Sequence, residues 1–238
     1  MLSFFTTSFA IAVAPDGRLR TAPARVRRSP RRDTRPARSL QLLLGLVAVG
    51  VGVGLVIRAE LGVASWDVLH VGLSGRTGWS VGTVAIVVGV GAALLAWLLG
   101  ERPRWGSLVP LAVVSPSIDG TLALVPSAAG TTNAYALLVA GTLALAVGVG
   151  AYVASDHGAG PGDLVFLGVA RHGVPLWAAR MLVDGTAVAV GWLVGGPIGV
   201  GTVLLTVALG PMIAHAIRFF DLVPAREEAA RRSELVAT

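Results

Sequence analysis

Two aspartates, Asp67 and Asp163, stand 96 residues apart in matching surroundings. Asp67 follows a Ser-Trp pair, Asp163 follows a Gly-Pro-Gly run, and each begins a short apolar stretch. A carboxylate in the first turn of a helix interacts favourably with the free backbone N–H groups and the positive helix end, so capping accounts for both residues. The alternative is that two interrupted helices present these carboxylates, as ligands or gates, to a solute or cation between them.

A second charged pair, Arg180 and Asp184, lies one helical turn apart inside an apolar segment. An unpaired charge at the centre of a membrane helix costs at least about 2.5 kcal/mol, so both side chains should face the protein interior. The simplest expectation is that they pair with each other. Because Arg before acid is the weaker order for a pair within one helix, Asp119 or Asp163 is an alternative partner for Arg180.

Two further side chains have competing interpretations. Asp119 falls near one end of an apolar span, where it either reaches the membrane interface or joins the site. His70 follows Asp67 by three residues and is either a hydrogen-bonded filler or a ligand. The resulting substrate-binding candidates are Asp67, Asp163, Arg180, Asp184, Asp119, His70, Ser65 and Trp66, with half-helix backbone supplied by Gly62, Gly158, Gly160 and Pro161.

Several chemistries lack their residues. The chain has no cysteine, and no two histidines have the i, i+4 spacing of a helical metal pair, so we predict no metal site. It has no lysine and therefore no phosphate-binding loop of the Gly-x-x-x-x-Gly-Lys type. No nucleophile and base suggest themselves, so we predict no catalytic residue, no cofactor and no enzyme activity.

The elements that must position these residues are membrane helices. With 54% hydrophobic residues, 13% charged residues and a mean hydropathy of +0.76, the chain is too apolar for a compact soluble domain. Six segments have close to the roughly 20 residues that a bilayer crossing needs: 41–57, 79–99, 106–125, 134–154, 174–194 and 199–217. Two shorter stretches, 61–74 and 158–170, suit re-entrant or half-crossing helices.

The two halves of the chain repeat each other. Gly45, Gly52 and Gly54 recur 96 residues later, as does the pattern around Asp67. Three spans per half would place the halves upside down relative to one another, so we predict an all-α membrane protein of two inverted three-span repeats. Arg102 and Arg104 then lie on the cytoplasmic side with both termini, as the positive-inside rule expects.

The predicted organisation has four parts. Nine arginines lie between Arg18 and Arg38, beside the first span, which fits a juxtamembrane tail better than a nucleic-acid-binding segment. The parts are 1–38, an Arg-rich disordered cytoplasmic tail; 39–133, the first membrane repeat; 134–221, the second; and 222–238, a cytoplasmic C-terminal tail.

Three motifs carry a resemblance to a known family. They are GVASWDVLHVGL at Gly62–Leu73, GAGPGD at Gly158–Asp163 and LVGGPIGVGT at Leu193–Thr202. Over about Leu40–Phe220 the chain resembles bacterial YczE-like integral membrane proteins, the YczE/YyaS/YitT group. The resemblance implies a multi-pass membrane protein and no particular substrate or reaction. Asp184 stands where many relatives have Glu, and Val63–Ser65 where relatives tend to carry Gly and Pro.

These observations favour a secondary transporter or permease for a small solute in a bacterial inner membrane, with its site between the repeats. The alternative is a membrane scaffold or regulator that transports nothing and acts through a partner, for which the Arg-rich tail is the sequence feature. The expected partners are the lipid bilayer and a small solute, without nucleic acid. A homodimer is compatible with the pattern, but no residue marks an interface.

Overall fold

The structure is a computed structural model of the chain and divides into two units, Met1–Arg38 and Ser39–Thr238. It describes residues 11–13, 19–21, 35–103, 105–154 and 160–236, with the side chains of 39–103, 107–154, 160–217 and 219–220. The second unit contains all the predicted membrane segments.

The first unit contains one short antiparallel hairpin. Strand β1, Ile11–Val13, pairs with strand β2, Leu19–Thr21, so that Ile11 lies opposite Thr21. Most of the remaining Arg-rich segment lies outside the described residues, and its disorder stays a prediction.

The rest of the described chain is helical, which confirms the predicted all-α membrane class. Each half has the order long, short, long, long, and the second half begins each helix 95 or 96 residues after the first. The helices are α1 (Arg35–Ala59), α2 (Ser65–Thr77), α3 (Val81–Leu98), α4 (Trp105–Leu124), α5 (Thr131–Ala154), α6 (Pro161–Ala170), α7 (Leu176–Leu193) and α8 (Val200–Val236).

Six of these helices are long and apolar enough to cross a membrane, as the sequence predicts. The crossing segments are Ser39–Ala59, Val81–Leu98, Ser107–Leu124, Thr131–Ala154, Leu176–Leu193 and Val200–Ile217. Large apolar side chains such as Trp97, Leu98 and Leu124 remain exposed on these helices. In a bilayer such surfaces contact lipid rather than water.

Helix α8 is longer than the predicted sixth span. Its 37 residues extend about 55 Å, well beyond the thickness of a bilayer core. The helix continues through the predicted boundary at residue 221 and reaches Val236. The C-terminal tail is therefore helical through Val236 and continuous with the last span.

The short helices α2 and α6 have 13 and 10 residues, about 20 and 15 Å, so neither crosses a membrane. They begin in the same way: the preceding residue has φ −67° and ψ 161° at Ala64 and φ −68° and ψ 165° at Gly160. Pro161 occupies the first helical position of α6, where its missing N–H has no helical partner to lose.

Each short helix packs on the C-terminal end of a long helix from the other half. Gly72 of α2 packs against Gly191 and Val194 at the end of α7, and Gly168 of α6 packs against Leu99 after α3. The backbone approach is close, because a methyl group at Gly72 or Gly168 would lie 2.7 Å from its nearest neighbour.

At the C-terminal end of each short helix, an arginine forms hydrogen bonds to the end of a long helix of the other half. Arg76 donates to the carbonyl oxygens of Val194 and Leu193, at 3.1 and 3.3 Å. Arg171, just after α6, donates to the Gly100 carbonyl at 2.8 Å and lies 3.2 Å from the Glu101 carboxylate. Both arginines thus occupy helix C-terminal ends, where positive charge is favourable.

The first helix of each half crosses its counterpart through glycines. A Cβ atom at Gly45 would lie 2.9 Å from the Gly148 carbonyl oxygen, and one at Gly52 would lie 2.8 Å from that of Gly141. Contacts therefore pair the start of one helix with the end of the other, so α1 and α5 run antiparallel. The close approach shows that these glycines let the two helix backbones pack against each other.

Candidate functional site

A cavity of about 300 Å³ lies between α1, α2, α3, α4, α6 and α7. Its size is at the lower end of the range found for small-molecule sites. One part of its wall is polar or aromatic, and these residues come from the two short helices and α7: Trp66, Asp67, His70, Asp163, Phe166, Arg180 and Asp184.

The two short helices present their first turns to this one cavity. Asp67 and Asp163 each occupy the third position of their helix, and both line the cavity together with Gly160 and Pro161. The structure therefore brings together the two carboxylates that the sequence relates by 96 residues. Helix starts in the bundle interior need polar neighbours, because their free N–H groups have no lipid partner.

Trp66 links the two starts directly. A Cβ atom at Gly162 would lie 3.1 Å from the Trp66 ring, so the indole rests on the backbone of the first turn of α6. The indole N–H donates to Asp184 Oδ1 at 3.1 Å. One side chain of the first half thus contacts a short helix and a long helix of the second half.

Arg180 is held by two carboxylates and a ring. Its Nε lies 3.4 Å from Asp184 Oδ2, and its Nη1 lies 3.9 Å from Asp163 Oδ1. The guanidinium carbon lies 5.2 Å from the centre of the Phe166 ring, within the range of a cation–π interaction. Both expected pairings of Arg180, with Asp184 and with Asp163, are present together.

The two aspartates at the helix starts have different partners. The Gly160 backbone donates a hydrogen bond to the Asp163 carboxylate, a capping contact of the kind the sequence predicts. Asp67 lies 3.3 Å from His70 Nδ1, one turn along the same helix. Asp67 is buried, with 8% of its surface exposed, and Arg180 is not among its ion-pair partners in the described residues.

The rest of the cavity lining is mainly apolar. It is built from α1, α3 and α4 and consists mainly of aliphatic side chains: Val49, Val53, Ala85, Val88, Ala92, Leu111, Val114 and Ile118. The cavity therefore has a charged side and a hydrocarbon side. Such a surface suits a small amphipathic solute better than a fully hydrated ion.

Three of the candidate residues lie elsewhere. Asp119 accepts from the Ser80 hydroxyl at 2.6 Å and from the Gly82 backbone N–H at 2.8 Å, so it caps the start of α3. Ser65 does not line the cavity, and Gly62 (φ +101°) packs on Gly199 and Thr202 at the start of α8. Gly158 lies outside the described residues.

Sequence reasoning missed Phe166, Gly162 and the apolar wall. Phe166 is the counterpart of His70 at the 96-residue spacing, so the duplication itself could have found it. Gly162 precedes Asp163 in one of the motifs, but only the three-dimensional contact with Trp66 explains why it is glycine. The apolar wall has no sequence signal, because most residues of the spans are aliphatic.

Fold and cavity together define a multi-pass α-helical membrane protein with six spans, two short helices and a cavity lined in part by charged side chains. The chain belongs to a family of unknown function, DUF6198, whose model matches residues 36–218. The expected YczE-like identity is confirmed.

Three relatives are similar over most of their length. The uncharacterized membrane protein YczE of Bacillus subtilis (strain 168) is 30% identical over 198 residues, covering 78% of this chain and 90% of that protein. An uncharacterized protein of Haemophilus influenzae is 25% identical over 185 residues, covering 77% of this chain and 84% of that protein. The uncharacterized protein YyaS of Bacillus subtilis is 27% identical over 179 residues, covering 72% of this chain and 88% of that protein. No solved structure matches the chain.

Proposed function

We propose that the protein is a secondary transporter or permease for a small solute, with its site in the cavity between the two halves. The observation that carries the proposal is that the first turns of both short helices line one cavity together with the Arg180 and Asp184 pair. Interrupted helices and charged side chains inside a membrane bundle are costly and mark solute or ion pathways. The proposed activity involves no covalent chemistry.

The halves are inverted repeats in this proposal, and reciprocal contacts support it. The Gly45 and Gly148 contact becomes the Gly141 and Gly52 contact when each residue is replaced by its counterpart. The packing of α2 on the end of α7 likewise corresponds to that of α6 on the end of α3. Contacts that exchange in this way are expected around a two-fold axis relating the halves.

The proposed orientation places both termini in the cytoplasm of a bacterial cell. At the end of the bundle that carries the 125–130 loop, Arg58 donates to the Leu122 carbonyl and the Ser127 hydroxyl, and Arg76 donates to the end of α7. The opposite end carries exposed Arg102, Arg171 and, in sequence, the Arg-rich segment before α1, which favours it as the cytoplasmic side.

In this proposal the polar bridge between the halves responds to the solute. The hydrogen bond from Trp66 to Asp184 and the contact of the Trp66 ring with Gly162 join the halves across the cavity. If one half moves against the other, these contacts must rearrange while the aliphatic wall on α1, α3 and α4 remains. In this proposal the solute binds in the cavity beside Trp66, and its entry or release requires that the contacts of Trp66 with Asp184 and Gly162 rearrange.

Uptake into liposomes containing the purified protein tests the proposal. A panel of radiolabelled amines, amino acids, sugars and monocarboxylates is compared for the wild type, Asp163→Asn and Arg180→Ala, with Glu60→Gln as an exposed charge-loss control. We expect saturable uptake of at least one class, lost in the two cavity variants and retained in the control. Folded wild-type protein that transports no member of the panel would instead favour a scaffold or regulator that acts through a partner.

A further inference from the structure

We infer that the cavity selects a small monovalent organic cation with a compact apolar body, such as an alkylammonium ion, and that Asp67 is its anchoring carboxylate. This inference rests on the proposed function only for the location of the site. It names the chemical class of the solute, which transport alone leaves open.

The charged groups of the cavity are predominantly negative. Three carboxylates, those of Asp67, Asp163 and Asp184, line it together with one guanidinium, that of Arg180. His70 is the remaining titratable side chain of the lining, and even a protonated His70 leaves these side chains with more negative than positive charge. An anionic solute would add like charge to this predominantly negative lining.

The positive groups of the cavity are already occupied. Arg180 already contacts Asp184, Asp163 and the Phe166 ring, so an anion would have to compete with two carboxylates for its half-exposed guanidinium. Each short helix carries its own aspartate in the first turn, which offsets the positive end of that helix. The helix starts therefore do not make this an anion site.

Among the three carboxylates of the cavity, Asp67 is the one without an arginine partner in the described residues, so it can pair with a cation. Its ion-pair partner in the described part of the chain is the imidazole of His70, at 3.3 Å, whereas Asp163 and Asp184 share Arg180. Asp67 is buried at the cavity wall, where a positive group beside it gains more than in water. An ammonium group can donate to it while His70 holds the carboxylate in place.

The apolar part of the lining determines which solutes fit beside the charged group. Val49, Val53, Val114 and Ile118 belong to α1 and α4, which contribute no charged side chain to the cavity. A second charge on the solute would lie against these aliphatic side chains without a partner, at a high desolvation cost. A zwitterion such as an amino acid is therefore disfavoured relative to a simple amine.

Three probes of nearly the same shape and different charge test the inference: tert-butylammonium, tert-butanol and pivalate. Binding to the purified protein in lipid nanodiscs is measured by isothermal titration calorimetry at neutral pH. We expect tert-butylammonium to bind most tightly, and Asp67→Asn to weaken it by about tenfold or more, since the ammonium loses its charged partner. Glu60→Gln, an exposed loss of the same charge, should leave its affinity unchanged.

Tighter binding of pivalate or tert-butanol than of tert-butylammonium, or no binding of any probe, would overturn the cation assignment. So would an unchanged affinity in Asp67→Asn protein whose thermal unfolding matches that of the wild type. These outcomes are separable from failure of the transport proposal. If the protein takes up an anion or a sugar and this uptake depends on Asp163 and Arg180, the transport proposal stands and the cation assignment is wrong.

Discussion

The indole N–H of Trp66 donates a hydrogen bond of 3.1 Å to the carboxylate of Asp184, 118 residues away in sequence. This bond joins a short helix of the first half to a long helix of the second at the wall of the cavity. Asp184 also pairs with Arg180, which in turn approaches Asp163. The bond therefore belongs to a network that connects both halves through their charged groups.

Replacing Trp66 by Phe should weaken this connection. The variant keeps an aromatic ring beside Gly162 but loses the N–H, while Asp184 retains Arg180. We expect a decrease of about 1 kcal/mol in the free energy of unfolding, measured by SDS titration. Trp97→Phe, on an exposed surface of α3, is the control and should change it by less than about 0.5 kcal/mol. Equal effects of the two substitutions would argue against the bond.

The glycine crossing of α1 and α5 predicts a strong steric effect. A methyl group in Gly52→Ala would lie 2.8 Å from the Gly141 carbonyl and the Leu145 backbone nitrogen. The helices must separate, and we expect a loss of about 1–3 kcal/mol in the free energy of unfolding. Gly141→Ala should have a similar cost because the contact is reciprocal.

Gly91→Ala is the matched control for this crossing, because nothing lies within 4 Å of the position where its Cβ would be. That substitution should be neutral or stabilise the protein by up to about 1 kcal/mol through helix propensity. The interpretation of the crossing as a close packing surface fails if Gly52→Ala and Gly91→Ala behave alike.

Asp119 is a carboxylate with a structural role, and replacing it tests whether uptake depends specifically on the carboxylates of the cavity. Asp119→Asn retains an acceptor for the Gly82 N–H but loses the charge at the start of α3, so we expect about 1 kcal/mol of destabilisation. Uptake by the remaining folded protein should stay at the wild-type level, in contrast to Asp163→Asn. Loss of uptake in stable Asp119→Asn protein would instead place this carboxylate on the solute path.

The two arginine contacts predict local effects on opposite helices. Arg76→Ala should speed amide hydrogen exchange at the end of α7, near Gly195, by removing the donor to the carbonyls of residues 193 and 194. Arg171→Ala should do the same after α3, near Gly100. Each variant is the control for the other, and an effect spread over the whole protein would contradict the local role.

The absence of cysteine from the chain provides a direct test of orientation. A membrane-impermeant maleimide added to intact bacterial cells should label Ala129→Cys, in the exposed 125–130 loop. Arg102→Cys should be labelled only after the membrane is permeabilised, because its loop is the predicted cytoplasmic side. The reverse pattern would refute the orientation, and the parent chain should remain unlabelled.

The spans and the short helices could be predicted because their signals are local. A run of apolar residues has one length that crosses a bilayer, and the stretches around Asp67 and Asp163 are too short for it. The joint placement of Asp67 and Asp163 at one cavity agrees with the hypothesis, drawn from their matching surroundings, that two interrupted helices present these carboxylates to a common site. The pairing of Arg180 follows from the cost of an isolated charge in an apolar bundle.

The remaining features depend on contacts between distant segments. Asp119 has the same chemistry as Asp163, and only the packing of α4 against α3 assigns it to Ser80 and Gly82. The bond from Trp66 to Asp184 depends on where α2 lies against α7. The continuation of α8 past residue 221 was not predicted, because a charged segment after a membrane span carries no local signal that the helix continues.

The arginine contacts at the far ends of α2 and α6 have a mechanical consequence. Each short helix is anchored to the other half at one end and presents an aspartate at its opposite end. A short helix behaves as a rigid rod, so a small tilt of α7 or α3 becomes a displacement of the carboxylate that it carries. In the proposed transporter, a tilt of α7 would therefore move Asp67, and a tilt of α3 would move Asp163.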